Sequence, residues 1–151
     1  MPEPVDATYV NRVLQGLDAQ SGDVYRLYLR DRQITSEIRD RVQAMYGTGP
    51  AFELTIRAIE AARNDRATVE PGNRITTVTR MISATSACIY VQVARDYRPV
   101  GGTDSAAVEW VGLQPISVFT NATSYNPTHW RYVVDGALPG DSQPPNPCAT
   151  S

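Results

Sequence analysis

The 151-residue chain carries 42% apolar and 20% charged residues with a formal net charge of −2, the balance of one globular domain large enough to bury a core. That charge argues against a nucleic-acid or anionic-membrane surface, which needs clustered positive charge. No run approaches the roughly eighteen apolar residues of a membrane span. All fourteen basic residues are arginine, which excludes Schiff-base chemistry and a lysine base, and points to a genome rich in G and C.

The opening MPEPVDATYV has neither a basic n-region nor an apolar h-region, so no signal peptide is expected there. Asp6 is a candidate N-cap. Val10, Val13, Leu14 and Leu17 follow at i, i+3, i+4 and i+7, one buried helix face. Ser21-Gly22 interrupts that pattern, and Asp23 could cap a second piece bearing Val24, Leu27 and Tyr28. Two helices or one bent helix both fit. Thr35 and Ser36 offer caps for a helix striped by Ile38, Val42 and Met45 and ended by Gly47. Pro50 suits the first turn of a third helix, in which Phe52, Ile56, Ile59 and Ala62 or Arg63 keep the period. The polar stretch from Asn64 to Asn73 is a loop that switches the pattern from helices to strands.

Beyond it the period drops to two. RITTVTRMIS, CIYVQVARDY, AAVEWVGLQPI and WRYVVDG read as four successive strands. Turns fall at residues 84–87 and 98–105, with a longer connection at 117–129. Helices followed by a β-meander define an α+β domain over residues 1–137, its N-terminal helices packed on a curved antiparallel sheet of about four strands. Residues 138–151 form a Pro-rich tail without periodicity, mobile unless Cys148 pins it.

Cys88 opens a strand and Cys148 lies in that tail. A cysteine within QPPNPCATS has no packing role of its own, so a disulfide and an extracytoplasmic setting are expected. The alternative is two unrelated thiols. The bridge would close a loop of about sixty residues, for a chain-entropy stabilisation of about 4 kcal/mol.

The helix YVNRVLQGL and the strands CIYVQVARDY, AAVEWVGLQPI and NPTHWRYVVDG, taken in this order, resemble the nuclear transport factor 2-like superfamily. The resemblance spans residues 6–136 and is one of element order. It implies a cone in which a curved sheet wraps around the helices and leaves a pocket. Arginine-only, exported versions look like envelope proteins of high-GC Gram-positive bacteria, including lipoprotein-like and secretion-associated members. The fold hosts enzymes, transport factors and scaffold domains alike, so it implies no activity.

Two residues are candidates for chemistry. His129 is the sole histidine. It cannot make a multi-histidine metal site, and it reads either as a cone base or as a loop residue at a strand entry. Glu109 shares parity with Val111 and Leu113, so it is either a buried acid or base or the partner of an arginine such as Arg95 or Arg80. Because Val108, Trp110 and Ile116 are equally apolar, parity does not choose the inner face. Tyr90, Gln92, Trp110 and Tyr132 are candidate pocket residues, with Glu109 there instead if the other parity faces inward. Asp96 and Asp135 read as solvated strand ends. Arg26, Arg30 and Asp23 read as ordinary surface pairs, and Tyr25, Tyr28 and Tyr46 as a pocket mouth or a core cap. No G-x-S-x-G elbow or phosphate loop is present, and Asn121-Ala122-Thr123 matches a glycosylation acceptor. No metal or cofactor is expected. The expectation is a non-enzymatic, exported domain that binds a small apolar ligand or an envelope protein. The alternatives are a cone-pocket isomerase or dehydratase and a structural module of an envelope secretion or transfer complex.

Overall fold

The computed structural model describes residues 4–61, 71–116 and 125–149. Ala62, Arg63 and the Asn121-Ala122-Thr123 acceptor lie outside them. Helix α1 (Ala7–Asp31) begins where the Asp6 carboxylate accepts the Tyr9 amide at 2.9 Å, and it ends at Arg32 in the left-handed region. It runs unbroken through Ser21-Gly22. The glycine is there for space rather than for a stop: a Cβ on Gly22 would lie 1.9 Å from Asn73 Oδ1. Arg26 holds that loop against the helix through Pro71 O at 3.2 Å and Asn73 Oδ1 at 2.9 Å, besides its surface pair with Asp23. Helix α2 (Ser36–Tyr46) is capped by Thr35, whose hydroxyl accepts the Ile38 amide, and helix α3 (Pro50–Glu60) starts on its proline.

Strands β1 (Ile75–Ala84), β2 (Ile89–Asp96), β3 (Ala107–Pro115) and β4 (Trp130–Gly136) form one antiparallel sheet in the order β1-β2-β3-β4. The fold is α+β, with the N-terminal helices packed on that sheet. Three extra residues break its register, namely Thr79 and Ile82 on β1 and Val133 on β4. Each such bulge bends its strand and flips the parity beyond it.

The helix-facing side of the sheet carries Ile89, Val91, Val93, Val111, Leu113, Trp130 and Tyr132. They join Val10, Leu14, Leu17, Ile38, Val42 and Met45 in one core. Burying each such side chain is worth roughly 1.5–3 kcal/mol, so this layer holds the helices down. The edge strand β1 is also fastened by α1, since Asn11 Oδ1 accepts the Val78 amide and Asp18 Oδ2 the Thr76 amide, both at 2.9 Å. Asn11 and Asp18 stand two helical turns apart on one face. Their side chains occupy strand N–H groups that an open edge would leave for aggregation.

The tail crosses the other side of the sheet. Cys88 and Cys148 are joined in a disulfide, with their Cα atoms 5.6 Å apart. Asn146 donates to Ser83 Oγ at 3.1 Å on β1, and the buried Tyr90 hydroxyl on β2 donates to the Pro144 carbonyl. On β3, Gly112 leaves room for Pro147, whose ring carbon would be 2.7 Å from an added Cβ.

Candidate functional site

Among the described residues, five formally charged side chains meet where the helices cover the far end of the sheet from the disulfide. Asp18 comes from α1, Arg74 from the lead into β1, Arg95 from β2, Glu109 from β3 and Asp135 from β4. Arg95 is only 1% exposed. Its Nη1 pairs with Asp135 Oδ1 and lies 3.6 Å from Glu109 Oε1, and its Nε donates to Thr76 Oγ1 at 3.1 Å. Arg74 Nε donates to Asp18 Oδ1 at 2.9 Å and its Nη2 to the Tyr132 hydroxyl at 3.2 Å, with Asp135 Oδ2 3.8 Å away. Asp18 is further held by the Thr76 amide and hydroxyl. The Tyr46 hydroxyl donates to the second Asp135 oxygen, and the Tyr46 ring stacks on Tyr132 at 5.1 Å.

Asp135 reaches this cluster because of the bulge at Val133. Leu113 pairs with Tyr132 but Gly112 pairs with Val134, so Asp135 comes to stand opposite the inward-facing Val111. The reading of Asp135 as a solvated strand end is thus corrected. Its side chain is 15% exposed, and the backbone of the edge strand supplies the rest of the residue's surface. Burial would raise the Asp135 carboxyl, but Arg95, Arg74 and the hydrogen bonds from Tyr46 and Arg95 overcome it and hold the pKa at about 2. Burial and the neighbouring Asp135 charge push the Tyr46 phenol well above its ordinary range, so it remains a neutral donor. Arg74 and Arg95 are raised despite burial, chiefly by Asp135.

Above the cluster lies a pocket of about 380 Å³. It is a half-open groove whose lining mixes Val24, Val42, Met45, Leu54, Ala58 and Ile59 with the polar Ser21, Tyr25, Tyr46, Thr55, Arg74 and Asp135. The volume falls within the roughly 300–1,000 Å³ typical of small-molecule sites.

The residues singled out from the sequence are distributed differently. Of the candidate pocket set, Tyr132 faces inward. Tyr90, Gln92 and Trp110 share the opposite parity and lie on the outer side, where the tail packs. The correction follows from Ile89, Val91 and Val93 taking the helix-facing positions. Trp110 is 6% exposed, with its indole N–H unpartnered among the described residues. Glu109 does face inward, but it is committed to Arg95 and to the Tyr97 hydroxyl, which lies 2.6 and 2.8 Å from its two oxygens. It borders a separate depression with Asp104, Ala107 and Asp141 rather than the helical pocket. Burial and the bond to Glu109 push the Tyr97 phenol up to about 12. His129 is an exposed turn residue with φ 64°, at the opposite end of β4 from Asp135. Tyr46 and Tyr25 do border the pocket, whereas Tyr28 is core.

Asp18, Arg74 and Asp135 were not singled out as site residues. Asp18 had a visible signal, since it falls one residue beyond Leu17 on the buried stripe of α1. Among the described residues, no group of three or more His, Cys, Asp or Glu is placed to hold a metal ion, and no helix is long and apolar enough to cross a membrane. Comparison with protein-family models, curated proteins and solved structures finds no match to this chain.

Proposed function

We propose that this chain is a non-catalytic ligand-binding domain of the cell envelope, built on the helix-over-sheet cone of the nuclear transport factor 2-like type. The observation that carries the reading is a small-molecule-sized pocket whose polar end is already satisfied. Both Asp135 oxygens are engaged, and a carboxyl held at about 2 is a poor proton acceptor near neutrality. General acid–base work asks for a group poised near the working pH. The pocket's polar end therefore suits holding a molecule better than turning one over. A cone-pocket enzyme working through Glu109 or His129 draws no support from the positions of those residues.

The export half of the reading rests on the disulfide, which forms and persists in oxidising compartments, and on the arginine-only composition typical of high-GC sources. Lipoprotein-like anchoring belongs to the same proposal, whereas a structural module of an envelope secretion or transfer complex is its alternative.

The test is the fluorescence of N-phenyl-1-naphthylamine, a neutral probe that brightens in apolar surroundings. Saturable enhancement is expected, and Ala58→Trp, which fills the pocket from an exposed helix position, should abolish it while leaving the thermal midpoint within a few degrees. Absence of saturable enhancement, or enhancement that survives Ala58→Trp in a folded protein, sinks the proposal.

A further inference from the structure

The side of the sheet turned away from the helices carries a segment of the chain's own tail, and the contacts show what that face reads. Residues 144–147 are Pro-Pro-Asn-Pro. Each proline fixes its φ near about −65° and biases the residue before it towards extended backbone. A polyproline II segment repeats every three residues, so Pro144 and Pro147 share a side and Pro145 points away. The burial follows that period, with Pro144 buried, Pro147 half-buried and Pro145 exposed.

The fully buried Tyr90 on β2 donates its hydroxyl to the Pro144 carbonyl, and Gly112 on β3 leaves the space beside the Pro147 ring. Asn146, between the prolines, donates to Ser83 Oγ on β1 at 3.1 Å. The first two contacts touch groups that any Pro-x-x-Pro segment presents, a backbone carbonyl and a ring. Aromatic-lined surfaces hold such segments by exploiting a backbone that is already ordered before it binds.

The segment is held there covalently. Residues 137–143, which lead to it, are all exposed, and the lead bonds to itself through the Leu138–Ser142 bridge and the Ser142 hydroxyl on the Pro139 carbonyl. Beyond the prolines, Cys88 and Cys148 are both half-exposed, within reach of an attacking thiolate. With the bridge open, moving the exposed lead away uncovers little surface, and the tail becomes a reversible ligand of the face.

We propose that the outer face of the sheet is a docking surface for a Pro-x-x-Pro segment of a partner protein, closed by the chain's own tail while Cys88 and Cys148 are joined and opened when a dithiol oxidoreductase reduces them. In that exchange one thiolate of the oxidoreductase attacks Cys148 Sγ, and Cys88 leaves as a thiolate. The second thiolate attacks the mixed disulfide and Cys148 leaves. The dithiol ends as a disulfide, and its two electrons and two protons end on the cysteines of this chain. The surface lies across the sheet from the helical groove and does not depend on it.

A fluorescein-labelled peptide of residues 140–149 carrying Cys148→Ser serves as the probe, read by anisotropy. The disulfide-intact wild-type chain should leave it free. A full-length variant with Pro144→Gly, Pro147→Gly and Cys148→Ser, whose own tail no longer seats, should bind it saturably. A control peptide with Pro144→Gly and Pro147→Gly should bind about tenfold more weakly, a difference of about 1.4 kcal/mol. Equal binding of the two peptides, no binding to the folded variant, or equal binding to the intact chain overturns the proposal. A second measurement needs only Cys148→Ser in the chain. In a glutathione redox buffer its Cys88 should capture the peptide that keeps Cys148 in higher yield than the same peptide with both prolines replaced, as read by intact mass. Equal capture of the two peptides likewise overturns the proposal, and none of these outcomes bears on the helical groove.

Discussion

Asp135 is the residue on which the polar end depends, and its titration is a stability statement. An unperturbed aspartate ionises near 3.9, while Asp135 in the fold is held at about 2. Between those values the unfolded chain binds more protons than the folded one, so stability rises with pH there. The contribution is fully present above the unfolded value and is lost as pH falls through about 2; it amounts to about 2–3 kcal/mol. Urea midpoints measured from pH 6 down to pH 2 should therefore decline, and Asp135→Asn should flatten part of that decline. At pH 7 the same substitution leaves Arg95 without its closest partner. Breaking a buried pair in this way costs about 3–5 kcal/mol. An acid limb identical in wild type and variant would mean that other carboxyls govern acid unfolding.

At the level of elements, what could be read in advance and what could not have separate causes. The helices and strands announce themselves through their periods, because a face that must be buried repeats every 3.6 or every 2 residues. A Glu109–arginine pair was legible only as one alternative, with Arg95 and Arg80 both open, because the strand period does not say which face is covered. Asp135 was not legible as a partner, because a single extra residue at Val133 reverses every later side chain. Gly22 misled for a related reason: a glycine that makes room for a distant loop looks locally like one that ends a helix. The inner face of the sheet was ambiguous because both parities are apolar, and the cause lies in the tail. Its prolines give Tyr90 and Gly112 a second covered face. That cover depends on the crosslink, whose loop of 60 residues corresponds to about 4 kcal/mol in the chain-entropy account. Reduction should lower the urea midpoint accordingly and open residues 138–149 to protease ahead of the sheet. A midpoint indifferent to reductant would show that the tail is held without its disulfide.

Across the whole molecule, stability is distributed so that the pocket has one firm wall and one loose one. Helix α1 is buried along its length and tied to β1 by Asn11 and Asp18, and α2 is held to the start of β4 by the fully buried Asn126, which donates to the carbonyls of Ala44 and Trp130. Among the described residues, helix α3 has no comparable anchor. Ile56 is its sole buried residue, Leu54 is 64% exposed, and a weak 3.5 Å contact from the Tyr28 hydroxyl to the Glu60 carbonyl meets its last turn. Gly47 and Gly49, both at positive φ, precede it. An element with so little burial opens at low free energy, well below the global value. Yet α3 contributes Leu54, Ala58 and Ile59 to the pocket wall, so a ligand filling that space adds to its small buried surface. Amide exchange in α3 should therefore be fast in the free protein, with α1 and β2 protected close to the global limit. Saturating N-phenyl-1-naphthylamine should slow α3 exchange about a hundredfold when the ligand stands at roughly 100 times its Kd, following from preferential binding to the closed form. The central strands should gain protection only through global opening. Slowing confined to the outer face of the sheet would place the ligand under the tail instead, and α3 would then be a wall with nothing to hold.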